Sequence, residues 1–594
     1  MTTVRIPLVG SFNPRGLDGN ASLTASTDQR FLNCTFDLVH NPITNKTTVY
    51  VCKRPGWGTD TLVSSGNVST GLLKPQAFGQ TVSAFGATDS TIYFGTTSVG
   101  TITGRALHFT ETLVSSINYV MIKSSDGTGW YYAKDSHQQL TYTGDTHTNT
   151  TIDNISTTAG MYIGQVISGT DIVAGTRIAT VSGTSITTDT ATTGTTVGVT
   201  ITKTPIAKII DADFVATGTF QSAFVEMDGY LFYSVDTTGN LYNSDLNSVT
   251  AFTATNFLSP NMAPDPPIAL ARHKQTILSF GAGSKEVFYD AGNASGSPLQ
   301  RVPQYFSHPG TLDQRSVTVL EDDVYFVSSP YEGDIGVYQI KEFQNKRIST
   351  PQVDRIIGNI SATGGAIYLS SFRLGGYPYI GLFLSLASDG PGSNLMLESG
   401  DALLLENGDN LLLEDTAAQL ASFSRLIVYN VDLQLWSEWD CDEATFIDSV
   451  SSGVANQIIA TSRVLDTGYI YSILPVSQGQ LYTDNGAAFT MAIRLAKMDL
   501  GTSKRKRIKS IRLICDTDLT GTANLSWSDD DYVTFSTPRT FDLTSKEPKL
   551  TSCGSHKGGR AYLLTHSSNS RFRAEALEIE FESEADKIPG KNNA

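Results

Sequence analysis

Lys274-Gln275-Thr276-Ile277-Leu278-Ser279-Phe280-Gly281-Ala282-Gly283-Ser284-Lys285-Glu286-Val287-Phe288-Tyr289 sets two short apolar runs around a turn of small residues. Each run is too short for a helix and is rich in β-branched and aromatic residues, so the stretch reads as strand, turn, strand. The same pattern recurs. Residues 229–235 are followed by 239–242, 426–430 by 435–439, and 458–461 by 468–471, the second run carrying aromatics. Strand-like runs of the same texture stand at 91–94, 129–132 and 323–327. Units of roughly 40–50 residues, each a small antiparallel meander, are the signature of β-propeller blades, and about five to seven of them fit here.

Working outward, the chain divides by texture. Residues 1–74 form an extended N-terminal segment that ends near the turn Lys53-Arg54-Pro55-Gly56-Trp57. Residues 75–144 begin the propeller-like body, and 205–500 continue it. Between them, 145–204 is almost free of aromatics and sets Val and Ile against Thr and Ser, which predicts half-buried strands in a small inserted β-domain. Within the second part, 394–415 reads NLMLESGD, ALLLENGD, NLLLED, an octad whose Asn-Gly-Asp and Ser-Gly-Asp turns predict a hairpin extension. After residue 500 the strands alternate cleanly, as at 510–515, 523–527 and 576–581, and 501–594 reads as a C-terminal β-sandwich. The fold class expected is therefore all-β: a propeller-like body of short antiparallel meanders, an inserted small β-domain and a C-terminal β-sandwich.

Composition narrows the function. Charged residues are 17% of the 594, with Thr, Ser and Gly filling the gap, as suits turn-rich β-structure. The formal net charge is −16, the opposite of what gripping phosphates requires. An acidic surface suits a scaffold, or a conduit through which nucleic acid slides without sticking. The opening MTTVRIPLVGSF lacks a basic region followed by an apolar core, so no signal peptide is expected, and no apolar run is long enough to span a membrane. Five cysteines, Cys34, Cys52, Cys441, Cys515 and Cys553, are widely spaced without a CxxC pair, which predicts buried free thiols rather than zinc or disulfides.

Candidate chemistry is sparse. The basic run Lys504-Arg505-Lys506-Arg507-Ile508-Lys509 lacks interleaved aromatics, so it reads as an exposed strand edge or a contact with an acidic neighbouring subunit. Asp529-Asp530-Asp531 lacks the spacing of a calcium loop. Ser528 to Phe535, SDDDYVTF, resembles instead the Asp-box hairpin of sialidase propellers, with Tyr532 at the Gly position and Phe535 at the Trp position. The eight histidines show no HxH or HExxH spacing, and His308 before Pro309-Gly310 reads as a turn. No GxSxG, Walker loop or GxGxxG is present. No catalytic, cofactor-binding or metal-ligating residue is assigned, no cofactor is expected, and the chain is read as a non-enzyme. A sialidase-like glycan hydrolase and a receptor-binding fibre or spike component stand as alternatives.

Four segments in order resemble the tail hub proteins of short-tailed phages, also called nozzles, tail accessory factors or packaged-DNA stabilisation proteins. They are Arg30-Phe31-Leu32-Asn33 with Lys53-Arg54-Pro55-Gly56, similar to an "R-x-x-N … R-x-P-G" opening; 280–289; 324–328 continuing through 336–338 to 347–350; and the 528–535 turn with Arg571-Phe572-Arg573. The resemblance implies a virion tail protein made in the host cytoplasm and assembled as a ring, six-fold, below the portal and its head-to-tail adaptor. Such a ring extends and closes the DNA exit channel, retains packaged DNA without sequence-specific binding, and carries needle, fibre or tailspike proteins without inserting into a membrane. The insertion at 145–204 and the octads depart from the family pattern.

Overall fold

Ile277 and Leu278 are neighbours in sequence and both fully buried in the computed structural model of the chain, yet they lie in different cores. Their strand, Thr276–Phe280, pairs antiparallel with Ala269–His273 and with Lys285–Asp290, and Leu299–Arg301 completes a four-stranded sheet. Successive side chains leave opposite faces of a strand. Ile277 and Phe288 thus pack with Val225, Met227 and Phe232 of the preceding sheet. Leu278, Phe280 and Val287 pack with Val324, Phe326 and Ile340 of the following one. A sheet covered on both faces needs apolar residues at consecutive positions, which is why these strands read as unbroken runs.

The structure describes residues 2–9, 29–41, 46–62, 69–73, 75, 84–88, 90–137, 139–214, 221–235, 237–293, 295–328, 335–362, 365–385, 425–440, 447–452, 458–462, 469–473, 480–502, 504–517 and 520–583. The octads at 394–415 and Cys441 lie outside them. Two compact units emerge: one of 59–424 with 446–472, the other of 1–58, 425–445 and 473–594.

The larger unit is the propeller. Its first blade is 69–101, its second 106–133 with Thr196–Lys208, its third 225–258, its fourth 269–301 and its fifth 317–347. The hairpin Ala366–Leu374 with Tyr377–Ser385 starts the sixth, and Ile447–Ser452, Ile458–Ser462 and Tyr469–Ile473 form the seventh with Gly58–Leu62 as its fourth strand. Among the described residues seven blades close a ring, because Ile447–Ser452 lies beside both Ala366–Leu374 and Ser69–Leu73. Cores between adjacent blades repeat the logic of the fourth: Phe85 and Ile92 meet Trp130 and Tyr132, while Tyr119 and Tyr131 meet Leu231 and Tyr233. The helix Pro351–Ala362 follows the fifth blade and buries Val353, Ile357 and Ile360, spaced to share one helical face.

The inserted domain has a core of its own, built from Tyr142, Ile152, Ile155, Met161, Ile167, Ile178, Ile186, Val199 and Ile201. Strand pairing nevertheless runs across the boundary read from the sequence at 204. In the 13-residue strand Thr196–Lys208, residues 196–202 pair with Thr141–Thr146 of the insertion, and 206–208 pair with Gly129–Ala133 of the second blade. Deleting 140–203 behind a short Gly/Ser linker is therefore expected to leave a soluble, folded remainder. Deleting 140–208 also strips Ile206 and Ala207 from two inter-blade cores and is expected to aggregate. Size-exclusion chromatography and circular dichroism of the two deletions check this; identical behaviour would overturn it.

The smaller unit is the β-sandwich, drawn from three stretches of chain rather than from 501–594 alone. One sheet runs in the order Cys34–Asn41, Lys46–Lys53, Arg573–Ser583, Lys506–Cys515, Lys549–Thr551, with Thr2–Pro7 also on Arg573–Ser583. The other includes, in order, Leu435–Trp439, Arg30–Leu32, Met491–Arg494, Ala561–His566, Thr522–Ser528 and Arg539–Asp542. Ile508, Ile511, Leu577 and Ile579 of the first meet Phe31, Ile493, Leu525 and Leu564 of the second in one core. The N-terminal strands belong to this sandwich because their apolar side chains, Ile6, Phe31, Phe36 and Val51, are buried in that core.

Candidate functional site: the propeller axis and the motif residues

The innermost strands of the propeller surround a cavity of about 510 Å³. Its polar lining includes His108, Glu111, Glu226, Arg272, Arg315 and Tyr368, brought from five blades. Gln314 holds two of those blades in register: its Oε1 accepts the N–H of Leu270 at 2.8 Å, and its Nε2 donates to the Leu270 carbonyl at 3.0 Å. The next residue, Arg315, lays its guanidinium 4.0 Å from the Tyr368 ring centroid, and its Nε is 3.8 Å from Asp313. Arg272 donates to the Glu226 carboxylate at 3.0 Å and to its carbonyl at 3.1 Å. Burial first, then the positive charges of Lys123 and Arg315, hold His108 well below the usual histidine range. The arrangement can bind a polar solute through planar cation forks, carboxylate acceptors and an imidazole. None of these residues stood out in the sequence, where each is a single polar residue within or beside a short strand.

The residues singled out from the sequence fall elsewhere. Lys506–Cys515 is an interior strand rather than an edge, and the acidic neighbour of the basic run is a strand of the same chain. Lys509 pairs with Glu582 at 3.0 Å, Arg512 with Glu578 at 2.7 Å, and Lys506 is buried with its Nζ on the Thr502 carbonyl. The Asp-box-like turn commits its carboxylates: Asp529 takes Arg560 at 2.7 and 2.9 Å, Asp531 takes Lys497 at 2.5 Å, and Asp530 accepts Ser528 Oγ at 2.8 Å and the Thr534 N–H at 3.0 Å. Bonds from Thr534 and Ser528 draw the Asp530 carboxyl down to about 2. Tyr532, at the Gly position of the box, has φ +69°, and its hydroxyl accepts the Lys497 N–H at 2.9 Å. His308 sits 2.7 Å from the Gly283 carbonyl through Nδ1, a contact between segments 25 positions apart. Cys34, Cys52, Cys515 and Cys553 are free, and burial raises the thiol of each. Among the described residues no cluster of His, Cys, Asp and Glu could hold a metal.

The first and fourth of the resembling segments lie in the sandwich. Arg54 is wholly buried and donates to Asp484, to Asn33 Oδ1 at 2.9 Å and to the carbonyls of Pro55 and Asp440 at 3.0 and 2.6 Å, with the Phe489 ring 4.0 Å away. Asn33, at φ +54°, also donates to the Thr490 carbonyl at 2.8 Å. Gly56 admits no side chain, since a Cβ there would stand 2.0 Å from the Thr483 carbonyl oxygen. Phe572 enters the core, and Arg573 pairs with Asp37 and Asp516 at 2.9 and 3.2 Å.

Within the 280–289 segment, Lys285 is buried among apolar side chains, with Nζ on Asn345 Oδ1 and 5.3 Å from the Phe326 ring. Burial pushes its ammonium down to about 7 from 10.5. Between those values the unfolded chain keeps the proton that the native chain has lost, so stability rises with pH across that window, by up to about 1.4 kcal/mol per pH unit. Below about pH 7 both states are protonated and the full cost of burying the charge remains. Lys285→Met is expected to stabilise the propeller by about 1–4 kcal/mol at pH 6–7, with the gain shrinking toward pH 10. Denaturant unfolding at several pH values checks it; a gain that grows with pH would contradict the assignment.

Residues 173–367 match the family model described as bacteriophage P22 Gp10, β-propeller, under the name Phage_stabilise. The matched range holds the third, fourth and fifth blades and the second and third of the resembling segments, and it supports a phage tail family. Among solved structures, the chain is similar to an exo-β-1,3-galactanase from Phanerochaete chrysosporium at 10% identity, covering 61% of this chain and 97% of that one with a TM-score of 0.24. It is also similar to the WD40 β-propeller domain of Doa1 at 11% identity, covering 70% and 96%, TM-score 0.24. A family 43 arabinoxylan arabinofuranohydrolase from Bacillus subtilis matches at 10% identity, covering 80% and 95%, TM-score 0.20. Likenesses at these TM-scores assign no activity to the chain. No curated protein matches it.

Proposed function

We propose that the chain is a structural protein of a short phage tail, assembled as a six-fold ring below the portal and adaptor, where it extends and closes the DNA exit channel and anchors needle, fibre or tailspike proteins. The observation that carries this reading is the family match at 173–367, which falls on the blades bearing the 280–289 and 324–350 segments. The charge of −16 agrees with a wall to which DNA does not adhere. Head-to-tail contacts between copies close into a ring when the rotation between them divides a full turn. The chain acts without turning over a substrate.

Electron microscopy of the purified protein, alone and added to tails lacking it, tests the proposal. Rings that restore density directly below the adaptor are expected. Density appearing only at the tips of fibres would replace the hub with a receptor-binding component. Release of sugar from a panel of sialosides and other glycans would replace it with a hydrolase.

A further inference from the structure

We infer that the axial cavity of the propeller binds a single acidic sugar, a polyhydroxylated ring carrying one carboxylate. The inference goes beyond the tail role and does not depend on it. Three features of the lining select this chemistry. First, the Arg315 guanidinium lies over Tyr368, 4.0 Å from the ring centroid, and such a fork can make two parallel N–H bonds to a carboxylate. His108 lies near enough to Lys123 and Arg315 for both positive charges to disfavour its protonation. Second, Glu111, Glu226 and Arg272 also line the cavity, with Glu226 and Arg272 paired at 3.0 Å. Carboxylates repel a multiply charged phosphate but accept hydroxyl protons, as sugars donate them. Third, His108 also lines the cavity; burial disfavours its charged form, and a neutral imidazole can both donate to and accept from a sugar hydroxyl. The volume of about 510 Å³ falls in the range of small-ligand pockets, roughly 300–1,000 Å³.

The test titrates the full chain with N-acetylneuraminic acid, D-glucuronic acid, their methyl esters, D-galactose and inorganic phosphate, read by calorimetry and saturation-transfer NMR. At least one free acid is expected to bind, with its methyl ester and galactose weaker by about tenfold or more, the fold-change of one lost charge-assisted contact. Arg315→Met should abolish binding. Arg315→Lys, which keeps the charge and the fold but loses the bidentate fork, should weaken it about tenfold while leaving the circular dichroism spectrum unchanged. Three results would each overturn the inference: no acidic sugar binding at millimolar concentration, phosphate binding as tightly as the acids, or Arg315→Lys binding as the wild type does.

Discussion

Arg54→Met is expected to destabilise the sandwich by about 3–5 kcal/mol, the usual cost of stranding one partner of a buried ion pair. Asp484 is 1% exposed and takes its charge compensation from Arg54; without it, the Trp57 N–H at 3.0 Å is a single neutral donor against a buried carboxylate. The carbonyls of Pro55 and Asp440 lose a donor as well, and Asn33 Oδ1 keeps only the Asp440 N–H. Arg54→Met with Asp484→Leu should recover most of the loss, because a pair of apolar side chains removes the uncompensated charge along with the bond. Denaturant unfolding followed by tryptophan fluorescence is a direct probe, since Trp57 and Trp439 are both buried and the Trp439 ring lies 5.7 Å from the guanidinium. A loss below about 1 kcal/mol would place the pair among weak surface bridges and contradict the burial.

Particles assembled without the protein are expected to fill with DNA, then to lose it and fail to infect. Packaged DNA repels itself, so its exit must be closed by something it does not stick to. In the proposed ring, six copies at −16 each would bring about −96 formal charges. Such charges would repel phosphate over about 8–10 Å, one Debye length near physiological salt. Nuclease sensitivity of the packaged genome and plaque counts measure the outcome, with purified protein added back as the control. Particles that kept their genomes and merely bound fewer cells would reject the hub and leave receptor binding in its place.

The strands were legible in sequence because a strand's apolar pattern reports local burial. Ile277-Leu278 and Val287-Phe288 are adjacent apolar pairs because both faces of their strands are covered. The Thr-rich insertion alternates because it buries one face around its own core. Its exact edge was not legible: Thr196–Lys208 is a single strand whose ends serve different partners, and nothing at residue 204 marks the change.

By itself, then, the sequence determined that the chain is built of antiparallel meanders with a small β-module of its own texture at 145–204, and placed Arg54 and Gly56 in one turn. Which residues they meet, only the tertiary structure decided. Arg54 and Asp484 are 430 positions apart, Lys509 and Glu582 lie on paired strands far apart in the chain, and the polar groups of the axial cavity come from five blades. Spacing of two residues along a strand is set by backbone geometry and can be read locally. Partners across hundreds of residues are chosen by which apolar faces close on one another, and a charged side chain lands against its counter-ion only after those faces have closed.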